Sequence, residues 1–112
     1  MPIFSIMDEV ILITGKATPE FAPLAWKQFI DDLKEHIKGK RRLILNFKLD
    51  LYNSSSSRFI TEMLNILDQN YTKCKSIVNW FYFPNDDTTF EDGEMYAETF
   101  KNIEFNFKIR HE

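Results

Sequence analysis

Leu43-Ile44-Leu45-Asn46-Phe47-Lys48-Leu49-Asp50-Leu51, followed by Tyr52-Asn53-Ser54-Ser55-Ser56-Ser57-Arg58-Phe59-Ile60, is the stretch that decides the fold. Leu43, Leu45, Phe47, Leu49 and Leu51 fall on one side of a period-two pattern, and Ile44, Asn46, Lys48 and Asp50 on the other. That is a strand with one buried and one mostly polar side. The period then changes. Ile60, Met63, Leu64, Leu67 and Tyr71 recur at helical spacing, so a helix is expected from about Ser55 to Tyr71. A strand running directly into a helix is the opening of a βαβ unit, and the four serines sit at its turning point.

The same reading extends outward. On the N-terminal side, Ile3 to Thr14 holds two short apolar runs around Met7-Asp8-Glu9, a β-hairpin with Asp8 in its turn, and Gly15 ends the second strand. Thr18-Pro19-Glu20 has the form of a helix start: a capping hydroxyl, a proline at the first helical position and an acid near the positive end. Ala22, Trp26, Phe29, Ile30, Leu33 and Ile37 then make one apolar stripe, with Pro23 still in the first turn and Gly39 as the stop. On the C-terminal side, Ser76 to Phe83 is a further strand, broken by Pro84-Asn85-Asp86-Asp87. A short helix, about Phe90 to Phe100, carries Met95, Tyr96 and Phe100. The last strand, Ile103 to Ile109, alternates Ile103, Phe105, Phe107 and Ile109 with polar residues.

The order is β-β-α-β-α-β-α-β. Parallel strands joined by right-handed crossovers follow from it. Because two strands have a polar second face, the helices are expected mainly on one side of a mixed sheet of about five strands, giving a two-layer α/β sandwich. The chain has 112 residues, which fits a single domain spanning residues 1–112. Its 11 Phe, 4 Tyr and 2 Trp supply core volume, with rings to spare for one sticky surface patch.

Charge and cysteine usage narrow the function classes. The formal net charge of −3 argues against nucleic acid as the main ligand, since phosphate binding rests on clustered Lys and Arg. The short basic run Lys38-Gly39-Lys40-Arg41-Arg42 reads as a solvated loop. Cys74 is the only cysteine, so neither an intrachain disulfide nor a cysteine-based zinc site is expected, and a reducing compartment fits. Its neighbours Lys73 and Lys75 would lower its pKa somewhat, though an incidental surface thiol is the expectation. No signal peptide or run of ~20 apolar residues is evident, which points to a cytoplasmic protein without membrane insertion.

Enzymatic signatures fail. Gly15-Lys16 is followed by Ala17, so it is no P-loop. His36 suits a helix C-terminus and His111 lies in the tail, and neither has a nucleophile beside it. Asp86, Asp87, Glu91, Asp92 and Glu94 lack the spacing of a calcium loop and suit the start of a helix. No cofactor and no metal are expected.

The serine cluster differs from these. The first N–H groups of a helix lack internal acceptors, and a phosphate placed there meets bare donors and the positive end of the dipole. Arg58, placed in the first turn, would add a guanidinium contact, and Asp50 and Asn53 make a locally acidic rim for an added phosphate to alter. The plainer alternative is that Ser54 or Ser55 is an N-cap. From the residues alone both readings stand.

Here a resemblance enters. The segment from Leu45 to Arg58 resembles the hallmark of the SiaC family of regulatory phosphoproteins, approximately L-N-F-K-L-x-Y-x-N-T/S-S-S-x-K/R. Pro19-Glu20-Phe21-Ala22, Val78-Asn79-Trp80-Phe81-Tyr82 and Gly93-Glu94-Met95-Tyr96-Ala97-Glu98 are similar to further family segments, in order along the chain. The resemblance implies a compact fold similar to anti-sigma factor antagonist (STAS-like) domains and a non-enzymatic switch. It implies phosphorylation of the residue after the motif Asn, here Ser54, with Ser55 the alternative and Asp50, Asn53, Ser55, Ser56 and Arg58 around it. The implied partners are a serine/threonine kinase of the histidine-kinase-type ATPase fold, a PP2C-like phosphatase and a diguanylate cyclase. The unphosphorylated form would activate that cyclase and raise cyclic di-GMP, favouring biofilm formation or aggregation. The acceptor is Ser rather than the commoner Thr, and the N-terminus is shorter than in many relatives. The rival readings are a constitutive adaptor of the same fold, with the serines only a cap, and a small enzyme near Asp50, Asn53 and the acidic loop. Nothing in the sequence demands more than a monomer.

Overall fold

The structure, a computed structural model, describes residues 2–16, 22–51 and 54–111, and the side chains of residues 2, 16, 22, 51 and 54–56 lie outside that description. The elements are β1 (Pro2–Met7), β2 (Val10–Lys16), α1 (Ala22–His36), β3 (Arg42–Leu51), α2 (Ser54–Gln69), β4 (Lys75–Tyr82), α3 (Asp87–Thr99) and β5 (Glu104–Ile109). This is the expected order. The Thr18-Pro19-Glu20 start lies outside the described residues.

The five strands stand in the sheet in chain order, β1-β2-β3-β4-β5, with β1 antiparallel to β2 and every later pair parallel. Met7 pairs with Val10 across a tight turn whose first residue, Asp8, takes the left-handed φ of 56° that Asp tolerates. Gly15, at φ 91°, does not end β2. It marks a bulge, and the strand runs one residue further.

Strand order explains the layers. Three right-handed crossovers that all step the same way along a sheet place their helices on the same face. The buried side chains agree. Ile11 and Ile13 of β2, Leu43, Leu45, Phe47 and Leu49 of β3, and Val78 and Trp80 of β4 meet Trp26, Phe29, Ile30 and Leu33 of α1 and Ile60, Met63, Leu64 and Leu67 of α2. α3 joins the same layer through Tyr96, whose ring lies 5.6 Å from Trp80. Trp80 in turn stacks on Phe47 at 4.6 Å and donates its indole N–H to the Thr89 carbonyl. The molecule is a two-layer sandwich with α1, α2 and α3 on one side of the sheet.

The other side of the sheet is uncovered by any described element. Register, with the Lys48–Phe81 contact in the third, arranges it in three rows crossing all five strands. The first is Met7, Val10, Ile44, Ile77, Glu104. The second is Ser5, Leu12, Asn46, Asn79, Asn106. The third is Ile3, Thr14, Lys48, Phe81, Lys108, with the Lys48 ammonium 4.4 Å from the centre of the Phe81 ring. In the middle row Asn106 donates to Asn79, and Asn79 donates to Asn46 at 2.9 Å.

Besides Gly15, three expectations need correction. α2 starts at Ser54 and ends at Gln69, so Tyr71 falls in the following turn and is exposed rather than part of the stripe. The α3 face is Gly93, Tyr96 and Phe100, at spacings of three and four, which leaves Met95 exposed. Ile109, at the end of β5, is likewise exposed. Trp26, Phe29, Ile30, Leu33 and Ile37 of the α1 stripe, Leu43, Leu45, Phe47 and Leu49 of β3, and Ile60, Met63, Leu64 and Leu67 of α2 are buried as expected, and Phe59 joins them; the side chains of Ala22 and Leu51 lie outside the description.

Candidate functional site

β3 ends at Leu51 and α2 begins at Ser54, so the serine cluster lies where the central strand turns into a helix. Asn53 lies outside the described residues, as do the side chains of Ser54, Ser55 and Ser56. What the backbone establishes is that Ser54, Ser55, Ser56 and Ser57 form the first turn of α2. Their N–H groups are among those that no intrahelical carbonyl can accept from. This turn contains no acid, so nothing on the helix itself offsets the positive end of its dipole. The third helix shows the opposite arrangement: Asp86 caps it by accepting from the Thr89 N–H and hydroxyl, and Asp87 follows in its first turn.

Arg58 is the fifth residue of α2, not part of its first turn, because the helix begins earlier than the pattern suggested. Its guanidinium lies 5.8 Å from the Phe59 ring centre. It lines a shallow cleft of about 220 Å³ with Lys27, Asp31 and Lys34 of α1 and Glu62. The cleft therefore holds three cations and two acids, beside the second and third turns of α2.

Asp50 is not part of an acidic rim. Arg110, from the far end of the chain, reaches across to it at 3.0 Å. The guanidinium also lies 4.4 Å from the Phe83 ring centre, and the side chain is only 11% exposed. The charge at the carboxyl edge of β3 is thus compensated. Sequence reasoning missed Arg110, since nothing local links positions 60 residues apart. Arg110 is brought there by the parallel pairing of β5 with β4, its N–H donating to the Tyr82 carbonyl.

Cys74 also departs from expectation. It is 1% exposed, and burial pushes its thiol above the ordinary value despite the flanking lysines. Consecutive residues entering β4 point to opposite faces, so Lys73 and Lys75 reach solvent while Cys74 turns inward. His36 closes α1, and its Nε2 shares a hydrogen bond with the Asp8 carbonyl, which ties the helix end to the hairpin turn. Among the described residues, no three His, Cys, Asp or Glu side chains gather into a metal-binding group, and no helix is long and apolar enough to cross a membrane.

Comparison with known proteins adds the family. A family model for the SiaC family regulatory phosphoprotein matches residues 3–110. No curated protein matches the chain. Among solved structures, it is similar to a chain in the crystal structure of the diguanylate cyclase SiaD in complex with its activator SiaC from Pseudomonas aeruginosa. That match has a TM-score of 0.87 and 20% identity, and covers 98% of this chain and 93% of that one. It is also similar to apo-SiaC from the same organism, with a TM-score of 0.84 and 20% identity, covering 96% of this chain and 89% of that one. At such identities the structural likeness speaks to the fold, and the α/β architecture read from the sequence is the one those proteins share. With nearly its whole length matched, the chain belongs to the SiaC family of regulatory phosphoproteins.

Proposed function

We propose that this chain is a non-enzymatic signalling switch in which Ser54 is reversibly phosphorylated, and that its unphosphorylated form binds and activates a diguanylate cyclase. The observation that carries the reading is the position of Ser54 as the opening residue of α2, in an all-serine, acid-free first turn, in a member of a regulatory phosphoprotein family. A phosphate there would gain the bare N–H groups and the helix dipole. It would add about −1.5 to −2 charges to the loop edge without requiring a change of fold. Arg58, one turn into α2, is the cation nearest in sequence to this turn, and the cleft it lines holds three cations against two acids. The cyclase assignment is supported by the SiaD–SiaC complex, whose architecture this chain resembles.

The writer and eraser of the mark follow from the same reading: a serine/threonine kinase of the histidine-kinase-type ATPase fold, and a PP2C-like phosphatase. The test is incubation of the purified chain with its kinase and ATP, read by intact mass and peptide mapping. One added phosphate on the Ser54–Ser57 turn is expected, absent in Ser54→Ala. If Ser54→Ala is still modified and Ser55→Ala is not, the acceptor is Ser55. An unchanged mass with an active kinase overturns the proposal. Ser54→Asp separates the switch from a constitutive adaptor, because Asp caps a helix as well as Ser does. The switch reading expects cyclase binding to fall, and the adaptor reading expects it unchanged.

A further inference from the structure

We propose that the open face of the sheet is a self-association surface, on which a second copy of this chain docks face to face about a two-fold axis lying along the asparagine row. Large apolar side chains are unusual on an open sheet face, yet Met7 is 73% and Ile3 is 63% exposed there, with Ile77 and Phe81 half-buried between the charged ends. The rows on either side of the asparagines are complementary to one another at β1, β4 and β5. A two-fold along the asparagine row turns one row over the other while keeping each strand above its own copy. Glu104 then faces Lys108 of the second copy, Ile77 faces Phe81, and Met7 faces Ile3. Asn79 lies next to the axis, facing itself. The other symmetric stacking, with the axis along the strands, would set β1 over β5, placing Met7 on Glu104 and Ile3 on Lys108. In the first arrangement three strands match, β1, β4 and β5, while β2 sets Val10 on Thr14 and β3 sets Ile44 on Lys48; in the second, Val10 meets Ile77 and Ile44 meets itself, but both ends of the rows set apolar groups on charges and Lys48 meets its own copy.

Among the described residues, the charged partners make no close ion pair. Lys108 is exposed, and Glu104 holds only a long contact to Lys75 at 3.8 Å and one to Asn106 at 3.4 Å. Exposed pairs of this kind set alignment more than strength. The apolar residues supply the affinity. Five strands about 4.8 Å apart and three rows about 7 Å apart give a footprint of about 500 Å² per copy, against the roughly 800 Å² of a standard interface. The dimer is therefore a weak, reversible one, formed at high local concentration, and it does not depend on the serine turn.

A charge swap within one chain tests this. Sedimentation equilibrium of the full chain from about 10 µM to about 1 mM is expected to show the average mass rising toward that of a dimer. Glu104→Lys alone and Lys108→Glu alone each set like charges opposite one another twice, and each should weaken association about tenfold or more. The double variant Glu104→Lys with Lys108→Glu restores opposite charges and should recover wild-type association, which no merely folding-related defect would do. Wild type that stays monomeric throughout overturns the proposal. So does a double variant no better than the singles, or loss of cyclase binding by Glu104→Lys with no self-association at any concentration.

Discussion

A methyl group added at Gly93 would sit 2.6 Å from the Trp80 indole and 2.9 Å from the Phe107 ring. Neither ring can yield, because Trp80 is fixed between Phe47 and Tyr96 and hydrogen-bonded to Thr89. Gly93→Ala should therefore destabilise by about 1–3 kcal/mol, although Ala is the better helix former by ~1 kcal/mol. Urea denaturation checks this, and a variant as stable as wild type would contradict the close approach of α3 to the sheet. At the hairpin turn, the hydrogen bond and charge of Lys40, at 2.6 Å, hold the Asp8 carboxyl below its ordinary 3.8. A lowered folded pKa means that the stabilisation is present above the ordinary value and is lost as pH falls through the lowered one. Lys40→Met should move the Asp8 midpoint upward in an NMR titration, and an unmoved midpoint would contradict the pairing. Cys74 carries the reverse sign. Its buried neutral thiol titrates above 9.0, so this contribution is present below the ordinary value and fades as pH rises through the raised one. Thiol reagents at pH 8 should label the folded chain slowly and the urea-unfolded chain at once, whereas prompt labelling of the folded chain would contradict its burial.

At the scale of elements, what was legible followed period. The β3 alternation and the α1 stripe from Trp26 to Ile37 were readable because each buries one continuous face. Misreadings came where a face is defined by something other than apolarity. Gly93 belongs to the buried face of α3 because it is small, and no hydrophobic pattern contains a glycine. Tyr71 continues the α2 spacing on paper, but the chain turns after Gln69, where Asn70 donates its side-chain amide back to the Ile66 carbonyl. The polar side of β3 proved to be one rung of an inter-strand asparagine row. Asn79 both donates to Asn46 and accepts from Asn106. Asn79→Ala removes both bonds and leaves two half-buried amides short of a partner, at a cost of about 1–2 kcal/mol. A urea midpoint unchanged from wild type would show that the row contributes nothing.

For the whole molecule, the βαβ pattern carried the layer arrangement, because a strand order without reversal leaves every crossover on one face. The open face follows from the same rule, and its self-complementary rows become visible only with register. The Asp50–Arg110 pair was likewise illegible, since pairing of β5 beside β4 alone brings the chain's end to the edge of β3. The serine turn was legible as a helix start, while the phosphate-acceptor role proposed for it rests on family resemblance rather than on physics. In the proposed function, this turn is where the molecule is written upon. Phosphopeptide mapping of the wild-type chain after treatment with its kinase and ATP tests it most directly. A single phosphate within Ser54–Ser57, lost in Ser54→Ala and reducing cyclase binding, is the predicted result. A phosphate mapped elsewhere, or none with a demonstrably active kinase, would contradict it.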